Sequence, residues 1–177
     1  MVAGGDIARE TDFQRCSAGS LQAAFGWTAG EGSPAVATAT DRLVLPTELT
    51  GRLTAFGRAL SPAECCGIGI GPAGEIAEFH AVPNVHEQPV TRYEVPAADQ
   101  LRIYLRAEAR GWGITFVFHT HPATEPYPSA TDVALAAWPD AVYAIMGLAG
   151  DAPTLRAYRI VDEVVVELPV AAHNLSL

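Results

Sequence analysis

The chain has 177 residues and a mass of 18.7 kDa, enough for one domain with a modest extension and too little for two full-sized cores. Hydrophobic residues make up 49% and charged residues 18%, so a core can be buried and a largely disordered chain is excluded. Eleven basic residues, all arginine, face 20 acidic ones; the net charge of −9 argues against a nucleic-acid partner, because displacing counterions from phosphates needs a basic face.

The opening MVAGGDIARETDFQRC lacks the cluster of positive charge and the apolar run of a secretory signal. Uncharged stretches are broken by Asp, Pro or Gly before they reach the roughly 18 residues that suggest a membrane span. Cys16, Cys65 and Cys66 do not suggest a disulfide framework, since adjacent cysteines rarely bridge each other. These features predict a cytoplasmic chain with no membrane partner.

Residues 1–41 are rich in Gly, Ala, Ser and Thr and read as an N-terminal extension, with Phe13, Phe25 and Trp27 as points of partial order. From Leu43 the pattern sharpens. Pro46 opens a helix whose apolar positions Leu49, Leu53, Phe56 and Leu60 share one face, and Pro62 stops it. The run 64–71, ECCGIGIG, reads as a strand, and 75–82 as its partner across a GPAG turn. A second helix is opened by Pro96 and closed by Gly111, with Leu101, Tyr104 and Leu105 expected to face inward. The continuous apolar run 114–118, ITFVF, suits a central strand covered on both faces. A Pro-rich loop, a short helix from Ser129 to about Ala137 and three further strands complete a mixed α/β layer.

Chemistry concentrates in residues 118–132, FHTHPATEPYPSATD. His119 and His121 lie two apart at the end of a predicted strand, so the period of two sends both imidazoles to one face. Asp132 follows on the first turn of a helix. Two imidazoles and one carboxylate make a three-ligand set of the type that holds zinc with a fourth position open to water. Glu64, between the first helix and the next strand, is the candidate proton carrier. Ser129 shares a helical turn with Asp132 and is a candidate donor to a developing oxyanion, although Ser-x-x-Asp taken alone reads first as a capping pattern.

Glu64, then His119-Thr-His121-Pro, then six residues, then Ser129-x-x-Asp132 resembles the motif of the JAMM (MPN+) metalloproteases. The flanks PAECCGIGIG and PYPSATDVALAAWPDAVYAIMGL resemble that family too, so the likeness runs from about residue 43 to 169. Thr120 departs from the commoner Ser, at a position that is not a ligand. The resemblance implies an α/β fold, a single JAMM/MPN (cytidine-deaminase-like) domain over residues 42–177 with a mixed β-sheet flanked by helices. It implies one Zn2+ held by His119, His121 and Asp132, Glu64 as general acid/base, and Ser129 at the oxyanion. The compact size resembles the bacterial, CysO-cysteine peptidase (Mec+) branch. That branch implies as partner the C-terminal tail of a ubiquitin-like sulfur-carrier protein, hydrolysed at a peptide or isopeptide bond. A non-catalytic binding module and a zinc amidase acting on a small molecule are the alternatives.

Other residues have plainer readings. Cys65 and Cys66 are expected to pack as small hydrophobes, and His80 has no partner at ligand spacing. His86 reads as a solvated loop residue and His173 as a surface one. Arg92 and Tyr93 precede the second helix, beside the substrate cleft of the family; Arg92 is a candidate for a substrate carboxylate or a surface ion pair with Glu87 or Glu94. Tyr127, between two prolines, is a candidate for the cleft wall. Trp112 and Trp138 read as core or subunit-contact residues, which leaves a homodimer open.

Overall fold

The computed structural model describes residues 36–39 and 42–173. Among the described residues ten strands and three helices run in the order β1 (Val36–Ala39), β2 (Arg42–Pro46), α1 (Thr47–Leu60), β3 (Cys66–Gly71), β4 (Glu75–Ile76), β5 (Glu78–Val82), α2 (Ala97–Glu108), β6 (Gly113–His121), α3 (Ala130–Ala134), β7 (Val142–Gly147), β8 (Thr154–Val161), β9 (Val164–Leu168) and β10 (Val170–His173). A six-stranded sheet has the order β5-β3-β6-β7-β8-β9, and a four-stranded one the order β10-β2-β1-β4. In the large sheet only β6 and β7 are parallel; their crossover contains α3.

The apolar run of β6 takes the central place its composition predicts, between β3 and β7, and it is buried from Ile114 onward. Alternation along β6 divides its side chains between two cores. Phe116 and Phe118 join α1 through Leu53 and Phe56, whereas Val117 joins α2 through Ile103 and Ala107. The two helices therefore cover opposite faces of the sheet. His119 and His121 share the parity of Val117 and lie on the α2 side; Thr120 points toward α1.

α1 forms where the spacing of Leu49, Leu53, Phe56 and Leu60 predicts it. α2 spans the predicted segment but turns differently. Ile103 and Ala107 are its buried residues, and Leu101 and Leu105 are 58% and 56% exposed. The small Ala107 lets the helix lie close to the sheet, and Arg106, on the same side, donates to the buried Glu78 carboxylate of β5 at 2.6 and 3.2 Å. Tyr104 stacks on Trp138 with ring centroids 6.3 Å apart.

The second sheet is the larger departure. β1 falls inside the expected extension and pairs with β2 and β4. The remainder of residues 1–41, apart from β1, lies outside the described residues, as do Cys16, Phe13, Phe25 and Trp27. The segment 75–82 divides between the two sheets, with β4 pairing β1 and β5 pairing β3. The last predicted strand divides likewise, and β10 runs parallel to β2. The short helix ends at Ala134. Among the described residues no helix is long and apolar enough to cross a membrane.

Gly57 sets the approach of α1 to the end of β6, since a Cβ there would lie 2.8 Å from Thr120 Cγ2 and 3.2 Å from Leu148 Cδ1. Gly51, in the same helix, has nothing within 4 Å. Gly51→Ala is expected to raise stability by up to about 1 kcal/mol through helix propensity alone. Gly57→Ala meets overpacking of about 1–3 kcal/mol and is expected to lower stability despite the same propensity gain. Denaturant midpoints at unchanged m-value compare the two; equal shifts would show that the contact at Gly57 is not tight.

Candidate metal centre and its cleft

Strand register assembles the site. Cys66 of β3 lies opposite His119 of β6, and the pairing continues outward through Thr120 N–H, which donates to Cys65 O at 3.1 Å. Glu64, two residues ahead of Cys66, therefore falls on the same face as His119 and His121. Thr120, facing the other way, accepts the Cys65 N–H on its hydroxyl at 3.0 Å. The departure from Ser keeps this hydroxyl, which ties the strand carrying the histidines to the one leading from Glu64.

Asp132 arrives from α3. Ser129 caps this helix, its Oγ accepting Asp132 N–H at 3.2 Å while Asp132 Oδ2 accepts Ser129 N–H at 2.7 Å. The reciprocal pair is a capping box and fixes the carboxylate with its oxygens toward the histidines. The capping reading of Ser-x-x-Asp is the one observed, with the Ser129 Oγ lone pair serving the cap; Ser129 also lines the cleft.

His119 Nε2 and His121 Nε2 are 3.1 Å apart, His119 Nε2 is 3.5 Å from Asp132 Oδ1, and His121 Nε2 is 3.7 Å from Asp132 Oδ2. Tetrahedral ligands at zinc bond lengths of about 2.0–2.1 Å are separated by about 3.3–3.4 Å. The observed separations, taken to the two carboxylate oxygens in turn, lie near that value, and one ligand atom from each residue can be chosen within 4.8 Å of the others, so the three side chains can converge on a single small cation. They form the one three-residue set of this kind among the described residues. His121 Nδ1 lies 2.8 Å from Glu125 O. A carbonyl only accepts, so Nδ1 carries the proton and the Nε2 lone pair is left for a metal.

Electrostatics separate the two acids. Burial pushes the Glu64 carboxyl up to about 8, offset in part by His121 and reinforced by Asp132. Burial acts on Asp132 in the same direction, but His119, His121 and Ser129 outweigh it and hold the group well below the carboxylate range. One acid is poised to carry a proton and its neighbour stays ionised, the arrangement that general acid–base chemistry needs. Burial lowers His119 despite Asp132; for His121, Asp132 and the Glu125 carbonyl prevail and raise it.

A cleft of about 370 Å³ opens over this group, with Ile68, Val117 and Trp138 among its apolar walls and Arg92 and Ser129 among its polar ones. Tyr127 is not brought to it. Its ring packs edge-on against Tyr158 at 5.6 Å and is 52% exposed, because Tyr158 O–H donates to Pro126 O and draws that loop away. Cys65 and Cys66 are fully buried, as expected of small hydrophobes. His80 is buried 3.3 Å from Glu78, and His86 Nδ1 accepts Gln88 N–H, so neither joins the metal group. Trp112 and Trp138 are partly buried against the α2-side core.

Sequence reasoning missed Asn84. Its buried amide donates to Glu64 O and Arg92 O, both at 2.9 Å, and its carbonyl oxygen accepts His86 N–H and Glu94 N–H. One side chain thus fastens the backbone of Glu64 to the loop that walls the cleft. The signal was present in PNVHEQP, since an Asn between prolines substitutes for backbone partners in turns.

Paired imidazoles and a carboxylate beside a buried, proton-holding acid are the kinds of group that metal-assisted hydrolysis calls for. The chain matches the family of prokaryotic homologs of the JAB domain over residues 46–161. It is 36% identical over 130 residues to the CysO-cysteine peptidase of Mycobacterium tuberculosis, covering 72% of this chain and 89% of that one. It is 37% identical over 86 residues to the desampylase of Haloferax volcanii, covering 48% of this chain and 62% of that one. A protein of Desulfitobacterium hafniense solved in solution superposes with a TM-score of 0.63 at 26% identity, covering 74% of this chain and 92% of that one. The chain belongs to the JAB (JAMM/MPN) family and is a hydrolase of that type.

Two outcomes follow from the site's own physics. In metal-free protein Glu64 keeps its proton up to about pH 8, whereas an unfolded chain releases it near 4.5. Folding takes up a proton between those values, so this group makes stability fall as pH rises through that window. Glu64→Gln removes the cost: with chelator present it is expected to exceed wild type by at least about 1.4 kcal/mol at pH 8, the worth of one pKa unit, and to approach it at pH 4. Parallel stability curves for the two proteins would contradict the burial argument. Thr120→Ser is expected to keep stability within about 1 kcal/mol, whereas Thr120→Val orphans the buried Cys65 N–H and costs about 1–3 kcal/mol by denaturant midpoint.

Proposed function

We propose that the chain is a zinc-dependent peptidase that cleaves a peptide or isopeptide bond at the C-terminal tail of a ubiquitin-like sulfur-carrier protein. The observation that carries this reading is the convergence of His119, His121 and Asp132, with Glu64, His121 and Asp132 lining one cleft. The substrate class is supported by the relatives, whose names describe a CysO-cysteine peptidase and a desampylase.

His119, His121 and Asp132 would hold the zinc, which when bound would supply Lewis acidity toward a water and a carbonyl. Glu64 accepts the proton of the attacking water on its carboxylate and returns it to the departing amine. Its raised affinity for protons makes it a stronger base than an exposed carboxylate. Ser129 donates its free hydroxyl proton to the carbonyl oxygen as negative charge develops there. Asp132 stays ionised throughout, fixed by the helix cap. Arg92, at the cleft wall, offers a guanidinium to a substrate carboxylate. A cleft of about 370 Å³ admits an extended tail of small residues and excludes a folded domain, so a slim, glycine-rich terminus suits it.

The test uses a sulfur-carrier protein with residues appended after its terminal Gly-Gly. Glu64→Gln is expected to retain about one zinc per chain while kcat falls by about 10²–10⁴. His119→Ala is expected to lose both metal and turnover. Cleavage by Glu64→Gln at the wild-type rate would remove the assigned proton carrier. Cleavage of small amides with no action on any carrier tail would place the activity on small molecules instead.

A further inference from the structure

The two histidines of the metal group are held by different means. His121 has its Nδ1 fixed by the Glu125 carbonyl at 2.8 Å. His119 is 1% exposed, and its Nδ1 has no hydrogen-bond partner. Metal-binding histidines ordinarily donate their second ring nitrogen to an acceptor, which sets the tautomer and the ring orientation. When His119 Nε2 faces a cation, its Nδ1 carries a proton with nothing polar to receive it. Some other contact must aim the ring.

That contact is Tyr93. Its ring lies against His119 with centroids 4.5 Å apart and planes inclined by 27°, a stacked arrangement, whereas His121 meets His119 at a steeper 57°. A stack restrains tilt and translation of an imidazole without a hydrogen bond. The backbone on both sides of Tyr93 is itself pinned by one buried group. Asn84 donates to Arg92 O at 2.9 Å and accepts Glu94 N–H at 3.1 Å, and Val85 N–H donates to Glu94 O at 3.0 Å. The ring is thereby placed from β5's exit loop before any metal arrives.

We infer that Tyr93 is a positioning residue for the metal centre, its aromatic face replacing the hydrogen bond that His119 lacks. The inference rests on the reading of His119, His121 and Asp132 as a zinc site, and it adds that the ring of Tyr93, not its hydroxyl, sets metal affinity. Zinc is titrated against a chromophoric chelator for wild type, Tyr93→Phe and Tyr93→Leu, and cobalt(II) is added to each as a reporter of ligand geometry. Tyr93→Phe is expected to bind zinc within about twofold of wild type with the same cobalt absorption bands. Tyr93→Leu is expected to bind about 10–100-fold more weakly, the range for lost partners of metal ligands, with shifted bands.

Equal affinity and unchanged bands in Tyr93→Leu would overturn the inference while leaving the zinc site standing. A loss in Tyr93→Phe as large as in Tyr93→Leu would overturn it too, by placing the effect in the hydroxyl. Wild type that binds no zinc would instead overturn the metal centre itself. One measurement is independent of any variant: in zinc-loaded wild type, the His119 ring protons are expected to lie upfield of those of His121, shielded by the stacked Tyr93. Unshielded His119 protons would overturn the inference even if no substitution at Tyr93 folded.

Discussion

The pairing of β3 with β6 is the constraint on which the site depends. Cys66 sits opposite His119, and this single alignment decides that Glu64 and the two histidines share a face while Cys65 and Thr120 share the other. A slip of one residue would send every one of these side chains to the wrong side of the sheet. The Thr120 hydroxyl on Cys65 N–H and the close approach of Gly57 to Thr120 both act at this point, so α1, which touches no metal ligand, helps hold the register behind the site.

The price of that placement is a carboxylate in a dry environment. Glu64 is 6% exposed and Asp132 stands near it, so the metal-free site carries two acids where the surroundings favour one ionised. A divalent cation held there would relieve both. Such local conflict is what candidate functional sites look like in an otherwise consistent fold: the burial that weakens the empty protein also raises the affinity of Glu64 for a proton.

Much of this was legible in the residues. The His-Thr-His run on an apolar strand, the carboxylate on the following helix and the periodicity of α1 all carry local patterns that the structure repeats. What was not legible depended on distant partners. β1, β2 and β10 are short and depend on partners distant in sequence, β4 and the main core among them, so no local signal announces a second sheet. α2 misled because Leu101 and Leu105 look like a core stripe, yet the buried face was chosen by Ile103, by the small Ala107 and by the reach of Arg106 to Glu78. Tyr127 could be placed only by knowing that Tyr158, far along the chain, captures the Pro126 carbonyl. Asn84 showed its residue type and its loop, but not that its partners would be Glu64 and Arg92.

The donor set completed by α3 bears on ion discrimination. Asp132 Oδ2 accepts Ser129 N–H at 2.7 Å, which fixes the only carboxylate of the three-residue group in one orientation. Calcium seeks six to eight oxygen donors and magnesium an octahedron of them. Two imidazoles and one carboxylate offer neither, so the donors that β6 brings to this group suit a borderline ion better than the abundant alkaline-earth ions.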